Sequence, residues 1–168
     1  MSEQISFRSA TAADMQAVTD IYNFYIANTV ITFDIDPHAV SDWQEKLMHL
    51  DAEGLPFIVA VTNTDEVIGF AYSGPWRTKA AYARTAEDTL YLREDFTGKG
   101  IGPKLLHELI ERSKAAGLRE LVAVIADQDV EASIALHEKF GFKRVGHLEG
   151  VGFKFDRWLG VVMMQKSL

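Results

Sequence analysis

The chain has 168 residues, with 17 Lys and Arg against 24 Asp and Glu, a formal net charge of −7, and no cysteine. That length fits one domain, and 48% apolar residues can build a core. Disulfides, thiolate zinc sites and a cysteine nucleophile are excluded, and the acid excess argues against non-specific binding to nucleic acid or an anionic membrane.

Residues 5–8 alternate apolar and polar and predict a short strand. The opening residues carry no basic-then-apolar leader, and no apolar run reaches the ~18 residues of a membrane helix, so a cytoplasmic protein is expected. Thr11, with Asp14 three residues on, reads as a helix start. Met15, Val18, Ile21, Tyr22, Tyr25 and Ile26 follow at helical spacing. Residues 29–37 carry no regular pattern. Ser41 and Gln44 predict the opening of a second helix, ended near Gly54. Residues 57–61 and 67–72 read as a hairpin across the turn at 63–66, stopped by Ser73, Gly74 and Pro75. Residues 76–84 form a loop rich in aromatics and cations. Another strand is expected over 89–92, with Glu87 just before it or at its start.

The stretch Thr97-Gly98-Lys99-Gly100-Ile101-Gly102 follows that strand and opens a helix carrying Ile101, Leu105, Leu106, Leu109 and Ile110 on one face. Residues 121–126 are continuously apolar, as in a strand buried on both faces. Residues 129–140 predict a short helix with Gly141 just past its end, and residues 143–148 and 159–165 are the last two strands. The strand–helix–strand unit from 89 to 126 predicts parallel strands joined by a right-handed crossover. The fold class is α/β: a mixed central sheet of about six to seven strands flanked by four helices, in a single domain over residues 1–168.

Unpaired backbone N–H groups at a helix start make a phosphate site, and glycine lets the phosphate approach closely. The spacing here is neither the dinucleotide fingerprint nor the nucleotide-triphosphate loop. Taken alone, the stretch also reads as a tight strand-to-helix turn.

The element order, this loop and the segment Ser133-Ile-Ala-Leu-His137-Glu-Lys-Phe-Gly141-Phe142 resemble the GNAT superfamily of N-acetyltransferases. Tyr22-Asn23, Thr32-Phe33, Gly74-Pro-Trp-Arg77, Thr85-Ala-Glu87, Leu90-Tyr91-Leu92 and Val151-Gly-Phe-Lys154 are similar to its phosphinothricin and methionine sulfoximine acetyltransferases. The resemblance implies the acetyltransferase fold, direct acetyl transfer from acetyl-CoA to a small-molecule amine, no metal and a homodimer, with no nucleic-acid or membrane partner. It implies that Leu90, Tyr91 and Leu92 hold the pantetheine arm. Gly98, Lys99, Gly100, Ile101, Gly102 and Pro103 would hold the pyrophosphate, with Val130 and Ser133 also at acetyl-CoA.

Glu87 matches the position of a general base for the ammonium group; otherwise it is an exposed strand-edge acid. His137 is the other catalytic candidate; otherwise it is a satisfied helix histidine. Ser133 reads equally as a helix cap. Phe33, Arg77, Thr78, Lys79, Tyr82, Asp88, Thr89 and Lys154 join Glu87 as substrate-binding candidates, the cations for an α-carboxylate or anionic end. Two positions depart from the family: Thr97 stands where the loop usually begins with Arg or Gln, and Val130 where Asn is common. A different amine acceptor, or acetyl-CoA binding without turnover, are the alternative readings.

Overall fold

The computed structural model describes residues 4–168; residues 1–3, on which the leader reading partly rests, lie outside them. The strands are β1 (Ser6–Ser9), β2 (Phe57–Val61), β3 (Val67–Pro75), β4 (Thr85–Leu92), β5 (Glu120–Ala126), β6 (Lys143–Lys154) and β7 (Arg157–Ser167). The helices are α1 (Met15–Asn28), α2 (Val40–Ala52), α3 (Ile101–Ala115) and α4 (Glu131–Lys139). The seven strands form one sheet in the order β1-β2-β3-β4-β5-β7-β6. β4 and β5 are parallel, as the strand–helix–strand pattern predicts, and every other pair is antiparallel.

Successive strand residues point to opposite faces, and β2 shows why both faces are covered. Phe57, Val59 and Val61 pack with α1 and α2 residues such as Met15, Tyr22 and Trp43. Ile58 and Ala60 pack with Ile101, Leu105 and Leu109 of α3. Leu106 and Ile110 of α3 join Leu121, Ala123 and Ile125 of β5 in a third cluster, which includes Val130 and Phe142 beside α4. A strand serving two cores is apolar at every position, which is the pattern of β2.

Several boundaries differ from the sequence reading. α2 starts at Val40, two residues before the expected cap has its effect, because the Asp42 carboxylate accepts the Ala39 amide at 2.8 Å. β3 runs on to Pro75 and β4 begins at Thr85, since the expected stop at 73–75 stays paired with Ala86, Glu87 and Asp88. β6 and β7 form a hairpin reaching Lys154↔Arg157, well past the expected strand end at 148. The turn is made by Phe155 and Asp156 with φ of 51° and 56°.

The base of that hairpin is anchored to the end of β5. The Asp127 carboxylate accepts the Gly160 amide at 2.9 Å and lies 2.8 Å from His147 Nε2. A Cβ on Gly160 would be driven into that carboxylate and the Leu148 carbonyl. Gly160→Ala should therefore lower unfolding free energy by about 1–3 kcal/mol. Urea denaturation checks this, and an unchanged midpoint would show that the anchor yields without cost.

Candidate active site

β4 and β5 share three register pairs, ending at Glu87↔Val122, and then part. Main-chain groups along a strand alternate between its two neighbours. The Trp76 amide donates to the Thr85 carbonyl at 3.3 Å and the Arg93 amide to the Ile68 carbonyl at 2.8 Å, which gives the odd-numbered residues of β4 to β3. The Arg119 amide donates to the Arg84 carbonyl at 2.8 Å, which gives the even-numbered ones to β5. Beyond Glu87 the backbones of Asp88, Leu90 and Leu92 therefore face an opening instead of a strand. The Tyr25 hydroxyl meets the Leu92 carbonyl there at 2.5 Å. Buried main-chain groups need partners, and an extended ligand carrying amides supplies them.

The opening is a cleft of about 550 Å³ that passes through the sheet. Side chains of β4 alternate across it. Tyr91 packs among Tyr22, Tyr25 and Phe70 on the α1–α2 face, and Glu87 shares that parity. Asp88 points the other way and meets His137 of α4. From Glu87 to Leu92 the strand spans about 16 Å at about 3.3 Å per residue.

Two carboxylates with different surroundings thus stand in sequence. Glu87 is half-buried, and its pKa is pushed above the ordinary carboxylate value, first by burial and then by the Asp88 charge. The Arg77 and Lys46 cations pull in the opposite direction. Asp88 is buried, with Oδ2 at 2.7 Å from His137 Nε2. Among the described residues its Oδ1 has no hydrogen-bond partner. His137 Nδ1 lies 2.7 Å from the Ser133 carbonyl, an acceptor only, so this nitrogen donates. The carboxylate at the other nitrogen favours a proton there as well, and with it the imidazolium form. Burial alone would lower the His137 pKa; the Asp88 bond and charge outweigh it and raise it.

The glycine stretch forms the turn into α3. Gly98 and Gly100 take φ of 71° and 75°, with open space where a side chain would stand. A left-handed backbone beside open space is the form of an anion-binding turn at a helix start. Thr97 and Gly102 line the cleft; Ile101 is buried in the core instead. The Thr97 hydroxyl is used internally, donating to the Glu94 carbonyl at 2.7 Å. The Lys99 ammonium rests 4.6 Å from the centre of the Phe96 ring.

The structure gathers Phe33, Glu87, Asp88, Thr89, Leu90, Tyr91, Leu92, Gly102, Val130, Ser133 and His137 around one cleft. It does not bring Gly98, Lys99, Gly100, Pro103, Arg77, Thr78, Lys79, Tyr82 or Lys154 to its walls. Arg77 stacks on Trp76 at 4.0 Å and acts on Glu87 through its charge. Lys154 is buried and donates to the Thr32 carbonyl at 2.8 Å. Ser133 lies inside α4; the capping position is Val130, which offers no side-chain acceptor. Sequence reasoning missed the roles of Tyr25 and Tyr72 in the cleft wall, whose helical or strand spacing marked them only as core. It also missed Lys46, a half-buried helix cation 5.0 Å from the Tyr72 ring centre. Among the described residues no group of three or more His, Cys, Asp or Glu is placed to hold a metal ion, and no helix is long and apolar enough to cross a membrane.

Residues 18–142 match the model of the acetyltransferase (GNAT) family. An L-methionine sulfoximine/L-methionine sulfone acetyltransferase of Pseudomonas paraeruginosa is 38% identical over 163 residues, 97% of this chain and 94% of that one. A phosphinothricin N-acetyltransferase of Alcaligenes faecalis is 35% identical, covering 92% of this chain and 78% of that one. Among solved structures, a GNAT superfamily phosphinothricin acetyltransferase from Sinorhizobium meliloti in complex with acetyl-CoA superposes with a TM-score of 0.93. It is 37% identical and covers 98% of this chain and 88% of that one.

The buried pair has a signature in folding. A histidine whose native pKa is raised contributes stability that is complete below its unfolded value of about 6.5 and is lost as pH rises through the native value. Urea midpoints measured from pH 6 to 9 should show this loss in the wild type and not in His137→Gln. Parallel pH dependences would refute the imidazolium assignment.

Proposed function

This chain belongs to the acetyltransferase (GNAT) family, and from that premise we propose that it N-acetylates the amino group of small amino-acid analogues such as L-methionine sulfoximine, L-methionine sulfone or phosphinothricin. The observation that carries the reading is the place of Glu87. It occupies the last paired position before β4 and β5 part, with the backbone-lined cleft beginning beside it.

Acetyl-CoA supplies the acetyl group as a thioester: the amine nitrogen forms the new C–N bond as the C–S bond breaks, the amine gives up a proton, and the sulfur leaves as thiolate to be protonated to CoA. The residues fit such a molecule. The backbones of Leu90 and Leu92 offer a strand's unpaired donors and acceptors to the pantetheine amides. The turn from Gly98 to Gly102, with the start of α3, offers N–H groups to the pyrophosphate. The amide of Asp88 or Leu90 in the opening is the donor able to polarise the thioester carbonyl.

Glu87 takes the proton of the incoming ammonium, directly or through one water. Its raised pKa brings it nearer to neutral pH, where a base is most effective. His137 does not compete for this role, because in the imidazolium form that Asp88 favours the ring has no site for another proton. It holds Asp88 in place, and the Asp88 charge in turn raises Glu87. Arg77 and Lys46, whose charges reach Glu87, favour an acceptor that carries its own carboxylate. The protein acts as one cytoplasmic domain and as a homodimer. Val145, Phe153 and Trp158 on the β6–β7 hairpin are all more than half exposed and support a second copy.

Glu87→Gln should lower kcat on L-methionine sulfone by about 10²–10⁴-fold, with little change in the KM for acetyl-CoA. The wild-type kcat/KM should rise with pH through a limb above the ordinary carboxylate range, as Glu87 loses its proton. Release of CoA thiol measures both; a near-normal rate in the variant would remove Glu87 from the mechanism. Multi-angle light scattering should give twice the 18.8 kDa chain mass, and a monomer at micromolar concentration would overturn the dimer.

A further inference from the structure

The segment between α1 and α2 brings Ile31, Thr32 and Phe33 to the cleft, although residues 29–39 hold no helix or strand. Such a stretch needs outside support to keep an aromatic ring in one place. Part of the support comes from α1. The Tyr22 hydroxyl lies 2.8 Å from Thr32 Oγ1 and donates to the Asp34 carboxylate. Asn23 clasps the far end, donating to the His38 carbonyl and accepting the His38 amide, both at 2.9 Å.

The rest comes from β6, more than a hundred residues away in sequence. The Lys154 ammonium donates to the Thr32 carbonyl at 2.8 Å and is 5% exposed. Burying a lysine is costly unless its charge has a task or a partner. Its named bond is to a main-chain oxygen of the segment that shapes the cleft. Two residues earlier, Gly152 lies against the Phe33 ring. A Cβ there would stand 2.6 Å from Phe33 Cε2 and 2.7 Å from Cδ2, closer than carbon atoms pack. The ring therefore uses the volume that the missing side chain leaves, and Phe33 also lines the cleft.

We propose that Gly152 and Lys154, neither of which lines the cleft, are specificity-determining positioning residues for the amine acceptor. Gly152 seats the Phe33 ring and Lys154 fixes the Thr32 backbone. Together they set the room left for the acceptor's side chain. A methyl group at 152 pushes the ring into the cleft and penalises long side chains, while the acetyl-CoA half of the cleft keeps its shape. This inference rests on the amine-acceptor reading above.

The test is Gly152→Ala in the full chain, assayed with L-methionine sulfone and with the shorter L-2-aminobutyrate. Relative to wild type, kcat/KM for L-methionine sulfone should fall on the order of tenfold more than that for L-2-aminobutyrate, with the KM for acetyl-CoA unchanged. The change should vanish in the Phe33→Ala background, because the clash needs the ring. Lys154→Met should shift the same selectivity ratio, and Lys154→Arg should restore part of it. An unchanged ratio in Gly152→Ala, an equal loss on both acceptors, or the same loss with and without the Phe33 ring would overturn the proposal. If Gly152→Ala does not fold, the Phe33→Ala/Gly152→Ala double variant should; its failure too would overturn the proposal. If the wild type acetylates neither amino acid, the acceptor reading fails by itself. The seating is then judged by thermal unfolding, where Gly152→Ala must lower the midpoint in the wild-type background and not in Phe33→Ala.

Discussion

Beyond Glu87 and Val122, β4 and β5 have no ladder to share. A buried polar group left without a partner costs about 1–3 kcal/mol, so neighbouring strands tend to close on each other. Here closure is resisted from outside. β4 is paired with β3 from Ala86 to Leu92, and β5 with β7 over its whole length, from Glu120 to Ala126. Each strand is fixed on its far edge. The Tyr25 hydroxyl satisfies the Leu92 carbonyl inside the opening, and what remains is a set of aligned main-chain groups on one strand edge. That edge can pair with another amide chain by the same bonds that would have held a strand.

The opening also resolves how an acidic protein serves anionic ligands. The net charge of −7 is a property of the whole surface, whereas binding is decided locally. At one end stand the glycine turn and the start of α3, which offer backbone N–H groups to an anion whatever the net charge. At the other, Glu87 and Asp88 are consecutive yet project to opposite faces of the sheet. Asp88 is paired with His137, whose pKa that contact raises; Glu87 has no hydrogen-bonded cation among the described residues, and burial and the Asp88 charge raise its pKa. Strand alternation thus separates two adjacent carboxylates, one paired with His137 and the other left on the opposite face with its pKa raised.

Much of this was legible in the sequence, and the exceptions have physical reasons. The apolar 57–61 segment read as a strand, and β2 is that strand, with both of its faces buried. The order of strands and helices predicted the parallel β4–β5 pair. The far half of β6 escaped because strand periodicity reports a buried face. Nearly all of β6 is exposed at the sheet edge, with glycines at 146, 150 and 152. Helical spacing related His137 to Ser133, but no local rule relates it to Asp88, which lies 49 positions away. Lys154 read as a substrate cation because charge is visible in sequence and its partner is not. A carbonyl at Thr32 carries no signature in the letter Thr.

The hairpin makes the same point through what its residues lack. Gly160 admits the Asp127 carboxylate and the Leu148 carbonyl, and Gly152 admits the Phe33 ring. Neither position has a left-handed backbone, since the positive-φ glycines are elsewhere in the chain. Turn geometry does not require glycine at either. Close approach does: at 160 it ties the hairpin to the end of β5, and at 152 it lets the hairpin support the wall of the cleft. The hairpin, whose edge strand β6 has almost no buried face of its own, is thereby joined at two points beyond the β5–β7 ladder to the strand and the segment that frame the opening. The parting of β4 and β5 supplies the cleft, and the absence of two side chains on β6 and β7 connects its outer wall to the sheet.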